Sequence, residues 1–262
     1  MLKKVEKKDE NLIEEYIGTD YNKCLYLYLD FMKYKTTNDN VTSWLDVENN
    51  EIKAIILKYY SGMHIFSKYQ NCNYETLLNL ILQEKPSIIC AEKFLIENLY
   101  KLLCSKDYVA NYGWVRELEE YYECDNESAK LAKSNDYDEI SRLILTDSSF
   151  NNYYTFEELK NQIVEQNENN YGRNYIIKKN NKIISHAAIC AENNKIAVLS
   201  HIITDDTYRH QGLATKVCSK LCNDIISEGK KVYLTNYTFE STALYDKIGF
   251  KPSCEIGKLY KK

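Results

Sequence analysis

Glycine and proline are scarce. The chain of 262 residues has 8 Gly and 2 Pro, where average usage of about 7% and 5% gives roughly 18 and 13. This excludes collagen-like, glycine-linker and proline-rich chains. It also means that each glycine is expected where the backbone requires one. Long apolar runs are absent: no stretch reaches 18 residues, so no membrane-spanning helix is expected. The first ten residues are charged with no apolar core after them, so no signal peptide is expected. Blocks of one charge sign are missing too. No Lys/Arg run exceeds a pair and net charge is −4, which argues against nucleic acid as the main partner. The four His and nine scattered Cys form no Cys-x-x-Cys and no metal-ligand spacing. The thiols read as reduced cysteines of a cytoplasmic protein.

What remains is the composition of a globular protein, 44% apolar and 27% charged. Its length suits one large domain or two small ones. In the second half, three apolar runs (175–179, 182–191 and 195–204) are separated by Asn180-Asn181 and Asn193-Asn194. Asn tolerates the left-handed turn, so these read as three antiparallel strands. Ala214, Val217, Cys218, Leu221, Cys222 and Ile225 then form a helical stripe that ends at Gly229. Cys218 and Cys222 on that stripe read as core packing. A strand over 231–235, a helix over 238–248 ending at Gly249, and a strand over 253–260 follow. Upstream come a strand at 129–133 and helices at 137–145 and 155–168. The first half repeats the order weakly: strands 42–47, 52–59 and 63–67, helix 75–83, strand 87–90, helix 92–104, strand 108–115. A tandem of two similar domains, 1–122 and 123–262, is the expectation, with a seam near the polar stretch 123–127.

Arg209-x-x-Gly212-x-Ala214 stands at a strand-to-helix junction. A helix N-terminus offers unpaired N–H groups and a partial positive charge. A small residue before it lets a phosphate come close, and Arg209 can add a charge-assisted contact. No G-x-G-x-x-G or Walker loop is present.

The run 202–215, with Ser241-Thr-Ala-Leu244-Tyr245-Asp-Lys-Ile248-Gly249-Phe250, resembles the GNAT superfamily of acyl-CoA-dependent N-acyltransferases. The first run is similar to the family's pyrophosphate loop and the second to its last-helix signature. The resemblance covers about 129–260. It implies an α+β (α/β) GNAT fold, a mixed and mostly antiparallel sheet flanked by helices. It implies acetyl-CoA as co-substrate, no metal, and a primary amine, small molecule or protein, as acceptor. Main-chain groups of Ile202, Ile203 and Thr204 would pair with the pantetheine arm. Arg209, His210, Gln211, Gly212, Leu213, Ala214 and Thr215 would surround the pyrophosphate, and Tyr245 would protonate the departing thiolate. Many members carry Asn seven residues before that Tyr. Here it is Thr238, and Asn236 is the nearby substitute, with Ser241 close by. His201 is the local candidate for a general base by its ordinary pKa near 6.5. A hydrogen-bonded sheet histidine is the other reading, and Glu165 and Glu192 are weaker candidates.

The first half has no such loop after 63–67 and is expected not to bind coenzyme A. It would wall off the acceptor pocket or mediate pairing, for example as a homodimer. The expected function is therefore a bacterial-type, cytoplasmic N-acetyltransferase acting by direct attack in a ternary complex. A non-catalytic acyl-CoA sensor is the alternative. A tRNA-dependent transferase is disfavoured by the acidic balance and the intact loop.

Overall fold

A computed structural model describes residues 1–262 apart from 39, 104–106, 119–123, 152, 153, 239 and 240. The expected helix end at Cys104 and the first residue of the expected seam lie outside the described residues. In chain order the elements begin with β1 (Leu2–Lys4), α1 (Glu10–Ile17), α2 (Leu25–Tyr34), β2 (Val41–Glu48), β3 (Glu51–Tyr59), β4 (Gly62–Phe66), α3 (Tyr74–Glu84), β5 (Ile88–Glu92), α4 (Lys93–Leu102) and β6 (Tyr108–Leu118). They continue with β7 (Ala129–Leu131), α5 (Tyr137–Ile144), α6 (Ser148–Asn151), α7 (Phe156–Glu168), β8 (Arg173–Lys179), β9 (Lys182–Glu192), β10 (Ile196–Thr204), α8 (Leu213–Ser227), β11 (Lys231–Asn236), α9 (Thr242–Ile248) and β12 (Phe250–Lys261). The helices and strands read from the sequence in both halves are present within a few residues of their expected ends. The architecture is a mixed sheet flanked by helices, as expected from the sequence.

The chain forms two compact units. One is Met1–Val115 with Pro252–Lys262, and the other is Arg116–Lys251. The sequence reading divided the chain at 122/123 and left the last strand with the second half. In the structure, residues 252–262 belong to the first unit. There β12 pairs antiparallel with β5, from Ile256↔Glu92 to Tyr260↔Ile88. The seating has a steric cause. A Cβ at Gly257 would lie 2.9 Å from Ile96 on α4, a distance that real Cβ atoms essentially never show. Only glycine lets that helix close on that strand. Leu259, fully buried, joins the same core as Ile89, Leu95 and Leu99.

In the first unit the strand order is β1-β2-β3-β4-β5-β12-β6. The β2–β3 turn is Asn49-Asn50, with φ of 52° and 64°, as left-handed asparagines allow. In the second unit the order is β11-β10-β9-β8-β7. The β8–β9 turn, Asn180-Asn181, has φ of 51° and 62°. The β10–β11 pair is parallel and the rest of this sheet is antiparallel. The predicted stripe of α8 is buried: Val217, Cys218, Leu221, Cys222 and Ile225 pack with Ala197, Leu199, Val232 and Leu234 of the sheet. At about 25 cal/mol per Å² this apolar burial is the main force holding helix to sheet. On a second core Ile140, Ile144, Leu159 and Ile163 of α5 and α7 meet Ile176, Ile183 and Ile203. The cysteines other than residue 104 are free thiols.

Candidate active site

The site is built on the end of β10. Parallel pairing with β11 runs from Ile196↔Lys231 to Leu199↔Leu234. On the other side β10 continues along β9 to Thr204↔Ser185, with a register shift between Ser200 and Ile203. His201 sits in that shift with φ of 48°, an uncommon conformation for a non-glycine residue. This is a β-bulge, and it turns the segment 202–204 away from the line of the strand.

A buried histidine pins the bulge. His186 on β9 is fully buried. Its Nδ1 donates to the His201 carbonyl at 2.8 Å, and its Nε2 lies 2.7 Å from the position placed as Asn174 Oδ1. Burial pushes the His186 ring down to about 3, so it is neutral and carries one N–H. With that proton on Nδ1, Nε2 accepts, and Asn174 must turn its N–H toward the ring.

His201, read as a candidate base, has its ring against Phe150 at 5.1 Å between centroids. Burial pushes it down to about 4. A ring held this low is neutral at pH 7 but a weak proton acceptor.

After Thr204 the chain makes a short 3-10 turn. Asp205 accepts from the Thr207 N–H at 3.0 Å, and Lys182 pairs with the same carboxylate at 2.6 Å. Arg209 is half exposed. Its Nε donates to the Thr204 carbonyl at 3.3 Å, and its guanidinium meets Asp206 at 2.7 Å. His210 and Gly212 both take left-handed backbone, with φ of 61° and 75°. Gly212 is the N-cap of α8 and supplies no side-chain acceptor. The first intrahelical bond is from the Lys216 N–H to the Gly212 carbonyl, 3.1 Å. The amides of Leu213, Ala214 and Thr215 therefore precede the helical ladder. A Cβ added at Gly212 would meet nothing within 4 Å, so this face of the turn is open.

The third wall comes from α9. Ser241 and Leu244 border the cleft. Tyr245 sits one residue further on, with its ring edge-on to Phe250 at 6.3 Å. Burial raises its pKa, with a Ser241 hydrogen bond acting the other way, so the phenol keeps its proton at neutral pH. Asn236 is buried and occupied by its own loop. It donates to Thr242 Oγ1 at 3.0 Å and accepts from the Thr238 N–H and the Ser241 hydroxyl, both at 3.2 Å. The Thr238 hydroxyl lies 3.2 Å from that of Ser241. Both residues thus shape the turn into α9.

These walls enclose a cavity of about 460 Å³. Of the residues singled out in the sequence, Ile202, Ile203, Thr204, Arg209, His210, Gly212, Leu213, Ala214, Thr215 and Ser241 line it. His201, Gln211, Asn236, Thr238 and Tyr245 are not on its wall. Sequence reasoning passed over Asp147, Tyr208 and Leu244, which are. Asp147 comes from the turn between α5 and α6, where no local motif marks it. Tyr208 and Leu244 lie inside the two quoted runs, where the walls of the cleft could have been read. Arg116 is a further support residue without a local signal. It is buried, donates to the Phe250 carbonyl at 2.9 Å, and pairs with Asp246 on α9. Among the described residues no group of three His, Cys, Asp or Glu could hold a metal.

A family model described as GNAT acetyltransferase matches residues 16–257. Comparison with curated proteins finds no match. Solved structures share the fold at low identity. A GCN5-related N-acetyltransferase from Sphaerobacter thermophilus is 10% identical, with a TM-score of 0.68 over 100% of this chain and 95% of its own. An acetyltransferase from the GNAT family of Colwellia psychrerythraea is 14% identical, with a TM-score of 0.63 over the full length of both. A Drosophila protein is 9% identical, with a TM-score of 0.71 over 100% of this chain and 98% of its own.

Proposed function

This chain belongs to the GNAT acetyltransferase family, and from that premise we propose that it transfers an acetyl group from acetyl-CoA to a primary amine by direct attack in a ternary complex. The observation that carries the reading is the cleft of the second unit. One cavity is bordered by a bulged strand end, an uncapped helix N-terminus behind an open glycine turn, and the helix that bears Tyr245. Those features fit the chemistry of the co-substrate. The amides of residues 213–215 and the Arg209 guanidinium would hold the pyrophosphate. Main-chain groups of Ile202 to Thr204 would bind an extended amide arm as a strand binds its neighbour.

Acetyl-CoA supplies an activated acyl carbon and a thiolate leaving group. The chain orients and protonates. A donor near the strand end would stabilise the oxygen that gains charge during attack. Tyr245, kept protonated by burial, would deliver its proton to the departing sulfur. Its neighbours Ser241, the N-cap of α9, and Leu244 border the cleft. His201, with its low pKa, is better suited to holding the bulge than to taking the amine proton. A water chain or the Asp147 carboxylate on the cavity wall would serve the acceptor instead.

Calorimetry with acetyl-CoA, followed by an amine panel scored by thiol release, tests the reading. Saturable binding with release on at least one amine supports it. No binding at millimolar acetyl-CoA overturns it. Binding without release on a broad panel favours the acyl-CoA sensor.

A further inference from the structure

We propose that the first unit carries a separate binding site for a small organic ammonium ion, seated on the Glu92 carboxylate in a cavity bordered by Trp114 and Phe94. The cavity, about 520 Å³, is formed within that unit by the end of β5, the start of α4, β6 and the incoming strand β12. Glu92 is the last residue of β5 and the N-cap of α4, yet its side chain makes no cap hydrogen bond. It is 7% exposed. Its hydrogen bonding is one long contact, from the Cys254 thiol to Oε1 at 3.8 Å. Among the described residues no other side chain donates to this carboxylate and no cation lies within 4.0 Å of it. Lys23 pairs with Asp20 at 3.0 Å and Lys93 with Glu255 at 2.7 Å.

A mostly enclosed carboxylate whose one donor is a distant thiol is disfavoured as the anion. The molecule answers in part by raising its pKa to about 7 through burial, against the pull of Lys23 and of the Cys254 thiol. A cation from solution would relieve the same cost directly. The rest of the wall selects which kind. Trp114 is 42% exposed, and an indole face attracts an ammonium. Phe94 adds apolar surface for a short alkyl stem. Glu97 and Glu255 also border the cavity, against Lys93 alone, so an anion is disfavoured. A metal ion is disfavoured because the described residues present no convergent set of three ligands. The site is independent of acetyl transfer and does not use the cleft of the second unit.

The test uses the full chain and n-butylammonium chloride at constant ionic strength, read by tryptophan emission. Trp44 is buried, so the change reports Trp114. The expected result is saturable binding with a Kd of about millimolar, as suits so small a ligand. n-Butanol, with the same stem and no charge, should bind at least tenfold more weakly. Tetramethylammonium, which cannot donate to Glu92, should also bind more weakly. Glu92→Gln, neutral and of the same shape, should lose at least tenfold. Trp114→Phe, followed by calorimetry, should lose severalfold, with melting curves checking that both variants are folded. No saturation, equal affinity for n-butanol or tetramethylammonium, or an unchanged Kd in Glu92→Gln would overturn the proposal. Acetyl-CoA is absent throughout, so failure here leaves the acetyltransferase reading where it was.

Discussion

The two units reach the same structural point and treat it in opposite ways. In each, a strand ends, a loop follows, and a helix begins against the next parallel strand. In the second unit the helix opens on Gly212, which offers no side-chain acceptor, and the space in front of it is empty. In the first unit the equivalent helix α3 opens on Asn73, whose side chain accepts from the Thr76 N–H at 3.0 Å. The preceding loop is tied down as well. The Tyr16 hydroxyl donates to the Lys53 carbonyl at 3.0 Å and accepts from the Lys68 N–H at 2.9 Å. Lys68 reaches the Tyr16 carbonyl at 3.1 Å, and Ser67 is buried against the Lys53 carbonyl at 2.7 Å. One unit thus leaves the turn before its helix open, and the other caps one amide of its helix and ties down the loop before it internally. The same backbone plan becomes a site or a scaffold according to who satisfies the orphan N–H groups.

The largest expected effect comes from making the second unit resemble the first. Gly212→Asp places an acceptor and a charge where a phosphate would come, and it should weaken acetyl-CoA binding about a thousandfold, about 4 kcal/mol. Melting should move only modestly, because Asp tolerates left-handed backbone. Retained affinity in calorimetry would break the comparison.

Tyr245→Phe keeps the ring against Phe250 and removes the proton. Turnover should fall about a hundredfold with the acetyl-CoA Kd unchanged. Equal turnover would reject the acid role.

Acid should separate the units next. His186 and His201 in the second unit are held down to about 3 and 4, and His64 in the first to about 4, all by burial. Below an unfolded pKa near 6.5 the unfolded chain takes up protons that the folded chain refuses, so stability falls as pH falls. Each ring should cost about 2 kcal/mol by pH 5. Glu92, raised to about 7, acts in the opposite sense: it loses stability as pH rises between its unfolded value and 7. Hydrogen exchange should therefore show protection falling more in the second unit than in the first on going from pH 7 to 5. His186→Gln should reduce that fall, and an equal fall in both units would count against the bulge pin.

The smallest effect is expected from Asn73→Ala. Loss of the cap should cost about 1 kcal/mol in a denaturant melt. It should not create acetyl-CoA binding, since Tyr16 and Lys68 still close the loop.

Much of this was legible in the sequence because it is local. The Asn49-Asn50 and Asn180-Asn181 turns, the α8 stripe and the run around Gly212 each specify their structure within about a dozen residues, and the structure has them where they were expected. Asn193-Asn194 differs: it joins β9 to β10 without left-handed backbone, and the Asn193 side chain closes the turn by accepting from the Lys195 and Ile196 N–H groups at 2.8 and 3.0 Å. The unread parts depend on partners far away in the chain. β12 follows the second half in sequence but its pairing strand β5 lies over 160 residues earlier, and only the tight approach of Ile96 to Gly257 reveals why it fits. His186 lies inside the expected strand 182–191, and nothing local says that its ring holds the bulge at His201. Asn236 and Thr238 were singled out for the coenzyme, whereas their hydrogen bonds close the turn into α9. Asp147 had no pattern at all and reaches the cleft only through the packing of α5 on β9 and β10.

The central claim is that one unit binds the co-substrate and the other has closed the equivalent place. Isothermal titration of the full chain with acetyl-CoA tests it through stoichiometry. The account predicts one coenzyme bound per chain, lost in Gly212→Asp and retained in Asn73→Ala. Two bound per chain, or one that survives Gly212→Asp, would contradict it.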